Sequence, residues 1–167
     1  MNKKTKTIAM LGMLTALYVV LSAFLKFTLF GNIMVDLGYI AFAFALCMYG
    51  LLGTVVGVIG CALESILFSA YGFSISWVAA NLVIGLFCGF AFKKAHSDIE
   101  KYLVTAAAVA VGMIVVKTVI ECALYGIPLA VKIPKNVVAF AADYVTMIMG
   151  IMLYKILYNR KVVRENG

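Results

Sequence analysis

Residues 33–77 of this chain contain only two charged residues, Asp36 and Glu64. A bilayer core takes about 20 apolar residues per helical crossing, so this stretch is too long for one crossing and must fold back on itself. The segment Tyr49-Gly50-Leu51-Leu52-Gly53 is the best place for that turn, because glycine adopts the backbone conformations that a tight hairpin requires. The chain is therefore predicted to cross a membrane repeatedly.

Composition extends this prediction to the whole chain. The sequence is 65% hydrophobic and 13% charged, whereas soluble domains are about half apolar and about a quarter charged. We expect an all-α, polytopic membrane protein with one domain over residues 1–167. Six transmembrane helices are predicted at about 7–25, 33–52, 53–70, 74–92, 101–126 and 136–158, with a second hairpin turn at 69–74. A lipid-spanning β-barrel is not expected, since it would show alternating segments of about ten residues.

Basic residues predict the orientation. With six spans both termini lie on one side of the membrane, and that side holds most of the basic residues: Lys3, Lys4, Lys6, Lys93, Lys94, Lys101, Lys155, Arg160, Lys161 and Arg164. The opposite side holds Lys26, Lys132 and Lys135. The positive-inside rule then places both termini in the cytoplasm. The net charge of +7 is thus a topology signal and does not predict a nucleic-acid partner, because these residues flank spans and share no folded face.

Polar side chains within the spans concentrate in the half of the membrane opposite the termini. A charge at membrane depth is costly, so such residues face the protein interior and mark a site by default. Five helices contribute to this set: Asp36, Tyr39, Glu64, Trp77, Asn81, Lys117, Glu121, Tyr125, Asp143 and Tyr144. The inner halves are almost purely apolar. The sequence therefore predicts an outward-facing polar site.

Helical spacing groups some of these residues with glycines. One face of span three carries Gly53, Gly57, Gly60 and Glu64, and span four repeats a polar or small residue every four positions at Trp77, Asn81, Gly85 and Gly89. Glycine lets a neighbouring helix approach closely. We expect tight helix packing beside the polar site.

Several of the polar residues have a structural alternative. Lys117 and Glu121 are four residues apart and would then neutralise one another as a buried ion pair that only orients helices. Asp36 would cap span two near the interface. Trp77 and Tyr125 would belong to an aromatic belt at the outer surface.

An outward-facing polar site that apolar helices close on the inner side suits solute capture. A channel would also need a polar path through the inner half of the membrane. The four cysteines lie singly in apolar spans without a C-x-x-C pair, and no catalytic motif is present. We expect no metal, no cofactor and no catalytic residue. Two rival functions are a structural membrane subunit of a cell-envelope complex for shape or division, and a membrane-embedded enzyme that uses Glu64, Asp143 and Lys117.

Motifs along the chain carry a family resemblance. Gly12-Met13-Leu14-Thr15-Ala16 has a pair of small residues four apart, Asp36-Leu37-Gly38-Tyr39-Ile40 opens span two, and a glycine-rich hairpin runs from Tyr49 to Gly57. Outer loops carry Tyr71-Gly72-Phe73-Ser74-Ile75-Ser76-Trp77 and Tyr125-Gly126-Ile127-Pro128. Over essentially its whole length the chain resembles the substrate-binding S component of energy-coupling factor (ECF) transporters, which are bacterial vitamin importers. It departs from the family's Phe-Gly-Pro hairpin in having Leu51 or Leu52 for proline, and from its Ala-x-x-x-Ala docking motif in having Gly12.

The resemblance implies a fold, a site and partners. It implies a six-helix protein of the bacterial cell membrane that binds a vitamin-like solute at the extracellular side, where Trp77, Asn81, Lys117, Glu121, Asp143 and Tyr144 lie. It also implies that the face of span one with Ala9, Gly12 and Ala16 docks on the ECF transmembrane subunit, which works with two ATPase subunits. Among the site residues, Lys117 suits a carboxylate or phosphate of the solute, Glu121 or Asp143 suits an amine or ring nitrogen, and Trp77 suits a flat ring.

Overall fold

Glycine at the predicted first hairpin determines how the chain folds back. The structure, a computed structural model, describes residues 2–25, 27–29, 33–69, 72–95 and 97–160. Helix α2 (Gly38–Tyr49) ends at Gly50, whose φ of +58° disfavours any residue with a side chain. A 3-10 turn (Gly50–Gly53) leads into α3 (Thr54–Leu67). The two helices run antiparallel: a Cβ atom on Gly53 would lie 2.5 Å from the Ala45 carbonyl oxygen, and one on Gly57 would lie 2.5 Å from the Phe42 ring.

The remaining helices complete the bundle. Single helices form α1 (Lys3–Phe24), α4 (Ile75–Ala91) and α7 (Leu129–Asn159). The fifth leg is continuous and consists of α5 (Asp98–Val109), a π-helical segment (Ala110–Lys117) and α6 (Thr118–Tyr125).

Length and hydropathy agree with a membrane bundle. Within the described ranges, four helical stretches are long and apolar enough to cross a membrane, and α4 is a shorter apolar helix. These stretches are Lys3–Phe24, Gly38–Leu67, Asp98–Tyr125 and Leu129–Asn159. Since Gly38–Leu67 is the α2–α3 hairpin, the described chain forms six helical legs. The predicted class, an all-α membrane bundle, is confirmed.

Helix α2 lies at the centre of the bundle. Residues 41–46 are buried on every face, as expected of a helix that packs against α1, α3 and α7 at once. By contrast, α1 buries only Leu14, Thr15, Tyr18 and Ser22. Most of the surface of α1 therefore remains uncovered.

Glycines permit the closest helix contacts, as the spacing predicted. A Cβ atom on Gly60 of α3 would lie 2.6 Å from Cδ1 of Tyr18 on α1. On α4, a Cβ atom on Gly85 would lie 2.5 Å from the Thr54 side chain. These distances are too short for any residue larger than glycine without movement of the neighbour.

Four helix starts differ by three residues or more from the predicted spans. Helix α1 begins at Lys3 rather than at residue 7. Residues Ile33–Val35 are a strand, β2, that pairs antiparallel with β1 (Phe27–Leu29), so span two begins at Gly38 rather than at residue 33. Span five begins at Asp98 rather than 101, because the Ser97 side chain accepts a hydrogen bond from the Glu100 amide and caps the helix.

The largest difference is at span six. Helix α7 begins at Leu129 rather than at residue 136 and contains Pro134. Proline removes one helical hydrogen bond and normally marks a helix boundary, which explains the late predicted start. Lys132 and Lys135, expected in a loop, thus lie on the helix. Several residues used in the topology and hairpin predictions lie outside the described residues: Lys26, Ala70, Tyr71, Lys161 and Arg164.

Candidate functional site

Asp36 holds the start of α2 against α1. Its Oδ1 atom accepts hydrogen bonds from the Ser22 hydroxyl at 2.5 Å and from the Gly38 amide at 2.8 Å, and its Oδ2 atom lies 3.4 Å from the Tyr18 hydroxyl. The residue is 1% exposed. These contacts are those of a helix-start residue, so the structural alternative for Asp36 accounts for its burial.

Tyr39 and Asn81 connect three helices. The Tyr39 hydroxyl on α2 donates to Asn81 Oδ1 on α4 at 2.8 Å, and Asn81 Nδ2 lies 3.5 Å from the Gly57 carbonyl oxygen on α3. Both side chains are fully buried. The carboxamide of Asn81 is thus largely used by protein contacts.

Glu121 pairs across to α7. Its Oε2 atom lies 3.0 Å from Lys132 Nζ and 3.4 Å from Asn136 Nδ2. Asn136 Nδ2 also donates to the Thr118 hydroxyl at 2.9 Å. These contacts join α6 to the first turns of α7, across the loop formed by residues 126–128. The charge of Glu121 is therefore balanced by Lys132, which the late predicted start of span six had placed in a loop.

Lys117 is the last residue of the π-helical segment, and its side chain lies against Trp77 on α4. The Lys117 Nζ atom is 4.0 Å from the centre of the Trp77 ring, and the lysine is 5% exposed. A cation over an aromatic face is attracted by the ring quadrupole, most strongly when water is excluded. Lys117 makes no ion pair with another described residue. Short π-helical segments often occur at functional sites.

Asp143 on α7 is 1% exposed, and among the described residues neither of its carboxyl oxygens has a hydrogen-bond partner. Asp143 forms no ion pair with another described residue. A buried polar group without a partner is costly and is uncommon in folded proteins. Both oxygens of Asp143 therefore remain available to a group other than the described residues.

The other predicted site residues differ in burial. Glu64 on α3 is 5% exposed and has an interaction partner. Tyr144 is half-buried and stacks on Phe140 with ring centres 6.0 Å apart. Tyr125 is 56% exposed, which agrees with the aromatic-belt alternative. Hence only part of the predicted set points to a ligand.

Sequence reasoning missed several residues that hold this site together: Tyr18, Ser22, Thr118, Lys132 and Asn136. Tyr18 and Ser22 are one turn apart on α1, a spacing visible in the sequence. Asn136, like Asn81, is a polar residue inside a predicted span. The cost of placing a polar group against lipid therefore predicts that Asn136 also faces the protein interior. As for metals, the described ranges contain no group of three His, Cys, Asp or Glu side chains placed to hold an ion.

The predicted docking face on α1 is exposed. Ala9, Gly12 and Ala16 all face outward, and no atom lies within 4 Å of the position that a Cβ on Gly12 would take. The neighbouring Met13 and Leu17 are 67% and 45% exposed. A flat strip of small residues edged by apolar ones is therefore free on this helix.

Comparison with known proteins identifies the family. The sequence model described as "ECF-type riboflavin transporter, S component" matches residues 2–160. The fold is similar to the S component for biotin from an ECF-type ABC transporter, with a TM-score of 0.70 and 16% identity over 95% of each chain.

Two further solved structures share the fold. FolT bound with folic acid has a TM-score of 0.70 and 18% identity, covering 90% of this chain and 97% of that one. The S component of a bacterial ECF transporter has a TM-score of 0.69 and 23% identity, covering 95% and 99%. These proteins are transporter components rather than enzymes. The chain belongs to the family of ECF-type riboflavin transporter S components, the substrate-binding membrane subunits of ECF transporters.

Proposed function

We propose that this chain captures a vitamin-sized solute between Lys117, Asp143 and Trp77 and delivers it through a partner transmembrane and ATPase module. The three residues come from the fifth leg, α7 and α4. Trp77 and Lys117 lie in the half of the bundle opposite the termini, which the positive-inside rule predicts to be extracellular, and Asp143 lies near the middle of α7. This assignment narrows the ten residues expected from the sequence to three principal binding residues.

The observation that carries the proposal is the state of the Asp143 carboxyl group. Both oxygens are buried and without hydrogen-bond partners among the described residues. A typical hydrogen bond contributes about 0.5–1.5 kcal/mol to stability, and leaving a buried polar group unsatisfied costs about 1–3 kcal/mol. A solute N–H or O–H group that donates to Asp143 would remove this cost. Asp36, Asn81 and Glu121 already have partners and offer a solute less.

Lys117 and Trp77 indicate which other chemical groups the solute should carry. Lys117 Nζ donates hydrogen bonds and carries a positive charge, so it suits a carbonyl, carboxylate or phosphate oxygen. Lys117 covers one face of the Trp77 indole, so a flat ring of the solute would stack on the other face. A solute that combines a flat ring, an acceptor for Lys117 and a donor for Asp143 fits all three. Riboflavin, which the family description names, has a flat tricyclic ring with carbonyl and N–H groups and a hydroxylated side chain. It is the first solute to test.

The test is calorimetric titration of the purified protein with riboflavin, biotin and folic acid. We expect riboflavin to bind most tightly. Lys117→Ala should weaken binding at least about tenfold, since one charged hydrogen bond corresponds to roughly that factor. Lys135→Ala is the matched control, because Lys135 lies at the same end of the bundle but is exposed. Equal affinities of the wild type and Lys117→Ala, or no binding of any of the three solutes, would contradict the proposal.

Delivery requires docking, and the uncovered strip on α1 supports it. Small residues let two helices approach closely within a membrane. We propose that Ala9, Gly12 and Ala16 contact the ECF transmembrane subunit, with two ATPase subunits supplying the energy. Gly12→Leu should reduce co-purification of the transmembrane subunit, whereas Ala107→Leu, on an exposed face of α5, should not. Undiminished co-purification of Gly12→Leu would argue against this face.

A further inference from the structure

A cavity lies between α5 and α7, at the end of the bundle that carries the termini. It has a volume of about 220 Å³ and is lined by Asp98, Lys101, Ile151, Tyr154, Lys155, Tyr158 and Asn159. A single water needs roughly 10–15 Å³ of such volume, so the cavity admits a group much larger than water. It lies in the other half of the bundle from Trp77 and Lys117 and has no part in the proposed solute site.

The lining combines apolar and polar side chains, and its charged residues carry a net positive charge. Lys155 Nζ forms an ion pair with Asp98 Oδ2, which balances those two charges. Lys101 lies one turn after Asp98 on α5, is half-buried, and forms no ion pair with another described residue. Two lysines against one aspartate leave one positive charge in the cavity. An anion is the ligand that this charge favours.

The position of the cavity in the fold indicates which kind of anion would bind there. It opens beside the first turn of α5, where the helix dipole also favours negative charge. The Tyr154 and Tyr158 rings, 5.9 Å apart, stand at the end of α7, where tyrosine typically meets lipid headgroups. Basic pockets between helices on the cytoplasmic side are suited to anionic headgroups.

We propose that this cavity binds the phosphate of an anionic phospholipid from the inner leaflet. Lys101 supplies the main charge, and Tyr158 and Asn159 supply further hydrogen-bond donors. Asp98 competes with the phosphate, because its carboxylate occupies Lys155. The acyl chains of the lipid remain in the bilayer against the apolar surface of α7.

Native mass spectrometry tests the proposal on the full chain, purified in mild detergent with equal amounts of phosphatidylglycerol and phosphatidylcholine of the same acyl chains. We expect phosphatidylglycerol to be retained preferentially. Lys101→Ala should reduce its retention roughly fivefold, the factor for one lysine near an anionic surface. Lys94→Ala is the control, since it removes an exposed lysine from the same side and should change retention little.

Asp98→Asn provides a test with the opposite sign. It removes the competing carboxylate and releases Lys155, so phosphatidylglycerol retention should rise, an effect that a merely damaged fold would not produce. Equal loss in Lys101→Ala and Lys94→Ala, or decreased retention in Asp98→Asn, would overturn the proposal. Displacement of the lipid by millimolar inorganic phosphate would identify a free-phosphate site and overturn the lipid assignment.

Discussion

The hydroxyl group of Tyr39 on α2 donates a hydrogen bond of 2.8 Å to Asn81 Oδ1 on α4, and both side chains are completely buried. This contact connects the central helix of the bundle to the helix that carries Trp77. A polar residue in the predicted solute site thus has a structural role, and the distinction between the two roles can be tested.

Tyr39→Phe should destabilise the protein. It leaves the buried Asn81 oxygen without its donor, which costs about 1–3 kcal/mol. Thermal unfolding in detergent measures the change. Tyr125→Phe is the control, because Tyr125 is 56% exposed and its hydroxyl remains solvated. Equal midpoints for the two variants would show that the Tyr39–Asn81 contact contributes nothing.

Asp143→Asn should weaken solute binding while leaving the free energy of unfolding almost unchanged. The substitution preserves shape and removes no hydrogen bond found among the described residues, so the free energy of unfolding without solute should change by less than about 1 kcal/mol. Riboflavin affinity should fall at least about tenfold, because the substitution replaces one of the two acceptor oxygens with an NH2 group. Calorimetric titration and thermal unfolding of the same sample provide both values. A variant that unfolds easily but binds normally would refute this assignment.

Asp36→Ala, unlike Asp143→Asn, should destabilise the protein in the absence of solute. The Ser22 hydroxyl and the Gly38 amide lose their acceptor, and each unpaired buried donor costs about 1–3 kcal/mol. We expect the free energy of unfolding to fall by at least about 2 kcal/mol. Asp98→Ala serves as the comparison, since the exposed Asp98–Lys155 pair should contribute no more than about 1 kcal/mol. If Asp36→Ala were as stable as Asp98→Ala, the role of Asp36 at the start of α2 would be disproved.

Two glycine-to-alanine substitutions should have opposite signs. Gly60→Ala places a Cβ atom 2.6 Å from Tyr18, and overpacking of this kind costs about 1–3 kcal/mol. Gly12→Ala meets no atom within 4 Å and should stabilise α1 by about 0.5–1 kcal/mol, because alanine loses less backbone entropy in a helix. Thermal unfolding of the unassembled protein measures both. A stabilising Gly60→Ala would mean that α1 and α3 pack less closely than the structure has them.

Much of the architecture follows from sequence. The nearly uncharged stretch from 33 to 77 requires a hairpin, and Gly50 allows it with a positive φ. The four-residue spacing of Gly85 and Gly89 predicts a close helix contact. Such features are local, so one sequence suffices to identify them.

The sequence is less informative where a side chain has a choice of partners. Spacing within one helix suggested that Glu121 pairs with Lys117, but α7 begins early enough to bring Lys132 to Glu121 instead. The β1–β2 hairpin was also missed, although Gly31-Asn32 between apolar segments is a typical hairpin signal. Which polar atoms of Asp36, Asn81 and Asp143 remain available depends on neighbours from other helices, which a single sequence does not reveal.

The number of residues in the π-helical segment determines the direction in which the Lys117 side chain points. Hydrogen bonds in such a segment span five residues rather than four, so it accommodates more residues per turn than an α-helix. Losing one residue between Ala110 and Val116 would let the helix tighten to ordinary α geometry without interrupting the leg. The ammonium group would then rotate away from the indole of Trp77. Relatives with a shorter fifth leg would, by this geometry, need to contact their cargo with a different side chain.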